Sequence, residues 1–181
     1  SALMSAFTIL FLFWTITALA KKMIVKGKEI ANDQIVAIMG AGMIGALAYT
    51  FSDSFWFSAV EGEVYASSSF FTAIVVWAMF KWEAIADEKH SNRWIILIAY
   101  LMGLSIGIHL LNLLTIPALA FIYYFKKYKP SFTGIIATGM LGVLILGIVQ
   151  YGIISGLVKI ASGFDYFAVN KMGLPFWSGF I

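Results

Sequence analysis

Apolar runs long enough to cross a bilayer alternate along this chain with short polar clusters. About 20 residues at 1.5 Å each cross a hydrocarbon core roughly 30 Å thick. Residues 2–20 form the first run, and Lys21 and Lys22 stop it. A second run at 35–51 is short and rich in Gly and Ala; a polar-aromatic stretch at 52–63 follows it, and a third run covers 64–82. From 94 to 125 the apolar run is 32 residues, too long for one ordinary crossing, and His109, Asn112 and Pro117 interrupt it. It reads as two short helices, 94–108 and 110–125, meeting near His109. The last run, 132–154, follows Lys126, Lys127 and Lys129 and leads into a tail at 159–181. The pattern predicts an all-α, polytopic helical membrane protein with about six spans in one transmembrane domain.

The distribution of positive charge tests the division of the 32-residue run. Six alternating crossings put the segments 21–34, 81–93 and 126–130 on one side, and these hold 10 of the 12 basic residues. By the positive-inside rule that side is cytoplasmic. A single crossing at 94–125 would send the lysines at 126–129 to the opposite side and weaken the bias. The outer side then receives the loop 52–63, the turn at His109 to Asn112, and the tail 159–181.

Composition agrees with lipid as the solvent. Of 181 residues 61% are hydrophobic and only 12% charged, too few charges to coat a water-soluble globule of this size. The net charge of +3 is modest and its basic residues sit in clusters between apolar runs, so nucleic acid is not an expected partner. There is no Cys, which excludes disulfides, thiolate metal sites and a cysteine nucleophile. The chain enters an apolar run directly from Ser1 without a basic leader region, so the first run is taken as a spanning helix and the sequence as an internal piece of a longer protein.

Candidate chemistry lies on the outer side. Ser52 or Asp53 can cap a helix continuing into the third span, which would align Phe57, Glu61 and Tyr65 on one face. Glu61 and Glu63, two residues apart, then point in different directions. Carboxylates at a membrane edge are either interfacial anchors or orient a polar substrate. His109 and Asn112, three apart, fall near one helical face; they either tie two short helices together or face an outer cavity, where imidazole can hold a phosphate or move a proton. No metal-ligand spacing accompanies them, so no metal site is proposed, and the need for a divalent metal stays open. The GxGxxG match at Gly40, Gly42 and Gly45 has no preceding strand and reads as a helix-packing face; Gly103/Gly107 and Gly152/Gly156 read as GxxxG contact surfaces. Intramembrane polar groups beside a broken helix also suit a secondary transporter, and the small-residue faces a noncatalytic scaffold; no inverted repeat is visible.

The stretch FSDSFWFSAVEGEVYA at 51–66 resembles the signature of a family of polytopic membrane proteins, that of unknown-function domain 2723. GLSIGIHLLNLL at 103–114 is similar to its second motif and VNKMGLP at 169–175 to a third. The resemblance implies a bacterial inner-membrane protein with a GT-C type glycosyltransferase bundle, related to protein O-mannosyltransferases. It implies transfer of a sugar from a polyprenyl-phosphate-linked donor to a protein or glycan acceptor on the non-cytoplasmic face. Under that reading Glu61 and Glu63 are catalytic candidates, and the family's principal carboxylate is expected upstream of Ser1. His109, Asn112, Asp53, Trp56 and Tyr65 are candidates for substrate binding, the aromatic rings against sugar faces or lipid.

Overall fold

The computed structural model describes residues 1–25, 30–61 and 64–178 and is helical throughout, with no strand among the described residues. Among the described residues eight α-helices follow in order: α1 Ala2–Ile24, α2 Asn32–Thr50, α3 Asp53–Val60, α4 Tyr65–Ala84, α5 Asn92–Ile106, α6 Ile116–Lys127, α7 Phe132–Gly147 and α8 Ser155–Met172. A 3-10 turn, Leu110–Thr115, joins α5 to α6, and a π-helical segment, Ile148–Ile154, joins α7 to α8. The chain divides into two compact units, residues 1–129 and 130–181.

Several hydroxyls inside these apolar helices are satisfied locally. Thr8 donates to Met4 O, Thr15 to Phe11 O and Thr50 to Ala46 O, each at 2.8 Å. A hydroxyl bonded to the carbonyl one turn back costs little in lipid, because no backbone group is left open. Lys21 and Lys22 occupy the last turn of α1, where the helix dipole favours cations. The side chain of Gln34 accepts from the Ala31 N–H at 3.2 Å and so closes the entry to α2.

In the first unit α4 is the shared wall. Its buried residues Ala66, Phe71, Val75, Ala78, Met79 and Trp82 recur at helical spacing, and Val75, Ala78 and Trp82 have no exposed surface. Helix α1 meets two partners through different chemistry. Toward α2 it meets small residues: a Cβ on Gly42 would stand 2.5 Å from Thr17 Cγ2, and one on Gly45 would stand 2.6 Å from Ile16 Cδ1. Toward α4 it presents rings, with Phe11 at 5.9 Å from Phe70 and 5.0 Å from Trp77, and Trp14 at 5.7 Å from Trp77. Close backbone approach and ring contact are what hold helices together where lipid removes the hydrophobic drive.

Ion pairs gather three segments at one end of this unit. Lys22 pairs with Glu83, joining the end of α1 to the end of α4. Lys126 and Lys127 reach Asp87 at 3.0 and 3.3 Å, and Lys127 also donates to Ala86 O at 2.6 Å, joining the end of α6 to the α4–α5 connection. Since α5 begins at that connection and α6 ends there, the two run in opposite senses. Trp82 stacked on Tyr123 at 5.1 Å closes the same end.

The second unit is one long helical run. Ser131 caps α7 by accepting from the Gly134 N–H at 3.1 Å. In the π-helical segment the backbone N–H and the hydroxyl of Ser155 both turn to Gln150 O, the hydroxyl at 3.2 Å, so the carbonyl displaced from regular pairing is satisfied. The run stops at Gly173, whose positive φ of 67° suits glycine, and Pro175 follows.

Among the described residues three helices are long and apolar enough to cross a membrane: α1, α2 and the 41-residue run Phe132–Met172. A fourth is added if α3 and α4, bent by 116°, count as one broken span. Helix α5 is apolar but has 15 residues, or about 22 Å. Several expected boundaries move. The stretch 52–63, expected as a loop, contains α3, and Ser52 does not cap it; its hydroxyl turns back to Tyr49 O at 2.7 Å. The expected single helix through Phe57, Glu61 and Tyr65 is not formed, because α3 ends at Val60 and Glu61 is extended, next to a glycine in the sequence. The helix expected over 132–154 continues to Met172, since no proline or glycine pair stops it earlier. Within their own units the GxxxG surfaces are not contact faces: among the described residues an added Cβ would meet nothing within 4 Å at Gly103 or Gly156, and only local atoms at Gly107 and Gly152.

Candidate functional site

The site is built around His109, which stands where α5 gives way to the 3-10 turn. Gly107 ends α5, the His109 N–H still bonds to Ser105 O at 2.9 Å, and the residue itself is extended with φ −160° and ψ 138°. Its ring caps the turn that follows: Nδ1 accepts from the Leu111 N–H at 3.1 Å. With Nδ1 an acceptor, the neutral ring carries its proton on Nε2 and keeps that N–H free to donate. The half-buried imidazole lies against the Tyr65 ring, centroids 5.4 Å apart and planes at 50°, so the start of α4 fixes its outer flank.

Asn112 faces the other way. It is fully buried, and its Nδ2 donates to Ser105 Oγ at 2.9 Å, which donates in turn to Met102 O at 2.7 Å. The expectation that His109 and Asn112 share a helical face is corrected: the imidazole capping the turn places His109 outside any helix, and the two side chains diverge. With 0% exposure Asn112 ties the turn to α5 through Ser105.

The other candidates surround the same end of the unit. Asp53 is exposed in the first turn of α3, where the helix dipole favours a carboxylate. Trp56 is 53% exposed and stacks on Phe51 at 6.5 Å. Glu61 is exposed, its N–H held by Phe57 O at 2.9 Å. Glu63 lies outside the described residues. Ser1 Oγ donates to Ala59 O at 2.9 Å and Tyr49 meets Phe55 at 4.6 Å, so the start of α1, the end of α2 and α3 close on one another. This end lies opposite the ion-paired lysines along α1 and α4.

Beneath it runs a cleft of about 360 Å³ between α1, α2, α4 and the 3-10 turn. Thr8, Thr15, Tyr49, Ser68, Thr72 and Leu111 are on its lining. Leu111 is the residue whose N–H His109 caps, and Ser68 lies one turn beyond Tyr65, so the cleft opens next to the imidazole. Ser68 is 3% exposed and its hydroxyl has no hydrogen-bond partner among the described residues. Apolar walls carrying a few hydroxyls suit an amphiphile better than a free polar solute. Reasoning on the sequence passed over these residues. The signal was present as hydroxyls at helical spacing, seven apart at Thr8 and Thr15 and four apart at Ser68 and Thr72.

At the lysine end, hydrogen bonds from Lys126 and Lys127 hold the Asp87 carboxyl below its ordinary value near 3.8. That cluster fastens the ends of the helices to one another.

No curated protein and no solved structure is similar enough to this chain to count as a match. A family model does match: that described as protein O-mannosyl-transferase TMEM260 N-terminal domain, over residues 1–131. The matched stretch coincides with the first compact unit, the one that contains His109, Tyr65 and the hydroxyl-lined cleft. This all-helical membrane chain therefore belongs to the protein O-mannosyl-transferase TMEM260 N-terminal domain family.

Proposed function

We propose that the chain forms part of a GT-C type membrane glycosyltransferase, moving a mannosyl group from a polyprenyl-phosphate donor to a protein hydroxyl on the non-cytoplasmic face. The observation that carries this reading is the family match over residues 1–131. The geometry supports it in two ways. The His109 end lies away from the lysine clusters, which the positive-inside rule assigns to the cytoplasm. The apolar cleft beside it suits the top of a lipid carrier whose head must be met at the membrane surface.

In the proposed reaction the acceptor hydroxyl oxygen attacks the anomeric carbon and the bond from that carbon to the phosphate oxygen breaks. The bonding electrons leave with the polyprenyl phosphate, and the hydroxyl proton passes to a carboxylate. The Nε2–H of His109 donates to the departing phosphate, whose charge grows as the bond lengthens. Glu61 and Glu63 accept from sugar or acceptor hydroxyls, one of them able to take the proton, and Asp53 extends the acidic rim. Tyr65 and Trp56 supply ring faces for the sugar. Asn112 acts by holding the turn that presents His109.

Membranes containing the full-length protein, supplied with radiolabelled polyprenyl-phosphate mannose, test this. Transfer to polypeptide should fall by about 100-fold or more in His109→Ala, in line with the loss of one donor to a developing charge, and clearly in Glu61→Ala. Transfer at the wild-type rate in both variants would remove these residues from the mechanism.

A further inference from the structure

A second cleft, about 760 Å³, opens at the opposite end of the first unit, among the last turns of α1 and α4 and one side of α2. Its walls and mouth differ in chemistry. Trp14, Trp77 and Phe80 line the apolar part; Lys21, Lys22 and Lys81 line the rest. Two of the ammonium groups lie over rings of the same cleft, Lys22 Nζ at 4.9 Å from the Phe80 centroid and Lys81 Nζ at 5.5 Å from that of Trp77. Cations held over rings at the edge of an apolar space keep their charge at the boundary while their stems cover hydrocarbon. Lys22 is paired with Glu83; Lys21 and Lys81 make no ion pair with any described residue. Three lysines against one glutamate leave the mouth with a net charge of about +2.

The cleft sits where α1, long and apolar enough to cross a membrane, reaches its terminal lysines. A bilayer lipid carries its groups in the same order, hydrocarbon first and phosphate at the boundary. We propose that this cleft seats one anionic phospholipid, its headgroup phosphate between Lys21 and Lys81 and the upper part of an acyl chain along Trp14 and Trp77. Basic pockets between membrane helices recognise anionic headgroups by this combination of charge and apolar wall. A free phosphate would gain nothing from the two indoles, and a zwitterionic phospholipid, whose own cation offsets its phosphate, gains less than an anionic one from two ammonium groups that no described residue pairs. The assignment stands on this cleft alone and does not depend on the reaction at the His109 end.

Full-length protein in phosphatidylcholine nanodiscs, titrated with brominated phosphatidylglycerol or brominated phosphatidylcholine, reads the site through tryptophan quenching. The anionic lipid should half-saturate quenching at a mole fraction at least about five-fold lower than the neutral one, a factor near that expected for each lysine close to the surface. Lys21→Gln with Lys81→Gln should abolish the difference, Lys81→Arg should keep it, and Trp14→Phe with Trp77→Phe should remove the quenching specific to the anionic lipid. Equal quenching by the two lipids in the wild type overturns the proposal, as does a preference that survives the double lysine change. Abolition of the preference by millimolar inorganic phosphate would also overturn it, by showing a phosphate site in place of a lipid site. Should the double lysine variant fail to fold by circular dichroism, Lys21→Gln and Lys81→Gln singly must each reduce the preference.

Discussion

The pair Ser105 and Asn112 shows how much one buried amide contributes in a lipid-facing fold. Its Nδ2 has a partner and its Oδ1 has none among the described residues, so the side chain is held by one bond and by its fit between α5 and the turn. Coupling between such side chains in membrane proteins averages about 0.6 kcal/mol and reaches about 1.7. Asn112→Ala should therefore lower the unfolding free energy of the full-length protein by about 1–2 kcal/mol, and the cycle with Ser105→Ala should give a coupling within that range. A reversible unfolding titration in mixed micelles measures both, and additive effects would show that the bond contributes nothing. Both His109 and Asn112 were legible in the sequence as polar residues in an apolar run. Their divergence was not, because three-residue spacing brings side chains together only within a helix, and an imidazole that caps the next turn abolishes that helix locally.

Glycine spacing predicts less about helices than the neighbour on the other side does. Gly42 and Gly45 belong to a literal dinucleotide-loop pattern yet lie under α1, while the GxxxG pairs at 103/107 and 152/156 meet no partner helix among the described residues of their own units. Period alone cannot separate these cases, since it records small surface without recording what covers it. The two packed glycines also differ. A methyl on Gly42 runs into Thr17, stiff at its branched Cβ, and into the Phe13 ring at 2.9 Å, whereas one on Gly45 meets the flexible end of Ile16. Gly42→Ala should destabilise by about 1–3 kcal/mol, the usual range for overpacking, and Gly45→Ala by clearly less. Gly103→Ala should be neutral or slightly stabilising. Thermal unfolding of the three variants in one detergent checks the order, and Gly45→Ala proving the worse of the first two would contradict the packing described here.

For the molecule as a whole, the apolar runs and their lysine stops made the all-helical membrane class legible. The separate helix α3 was not legible, because a short polar-aromatic stretch has no strong period. The convergence of Lys22, Glu83, Asp87, Lys126 and Lys127 was foreshadowed by charge clustering, but its pairing partners lie 40 and 61 residues apart and only folding brings them together. Asp87 has a further consequence. Its folded-state value is depressed, so its contribution is complete above the unfolded carboxylate value and is lost as pH falls through the folded one. The unfolding midpoint of the solubilised protein should be flat from about pH 7 to 5 and drop below about pH 4. Asp87→Asn should remove part of that drop. The effect should be small, because Asp87 is exposed and its pairs are screened, and high salt should mimic the substitution. An identical acid profile in the variant would show that the lysines hold the connection without it.

The segment Ile148–Ile154 carries a geometric message for the second unit. Hydrogen bonds spanning five residues use more chain per revolution than those spanning four, so the azimuth of every side chain after Ser155 is rotated relative to an uninterrupted helix. The apolar stripe through Ile136, Met140 and Leu144 therefore does not continue in the same register beyond the segment. The run of 41 residues, about 60 Å long, is about twice the thickness of the hydrocarbon layer, so a stretch of it as long as the span itself must lie beyond the hydrocarbon or run along its surface.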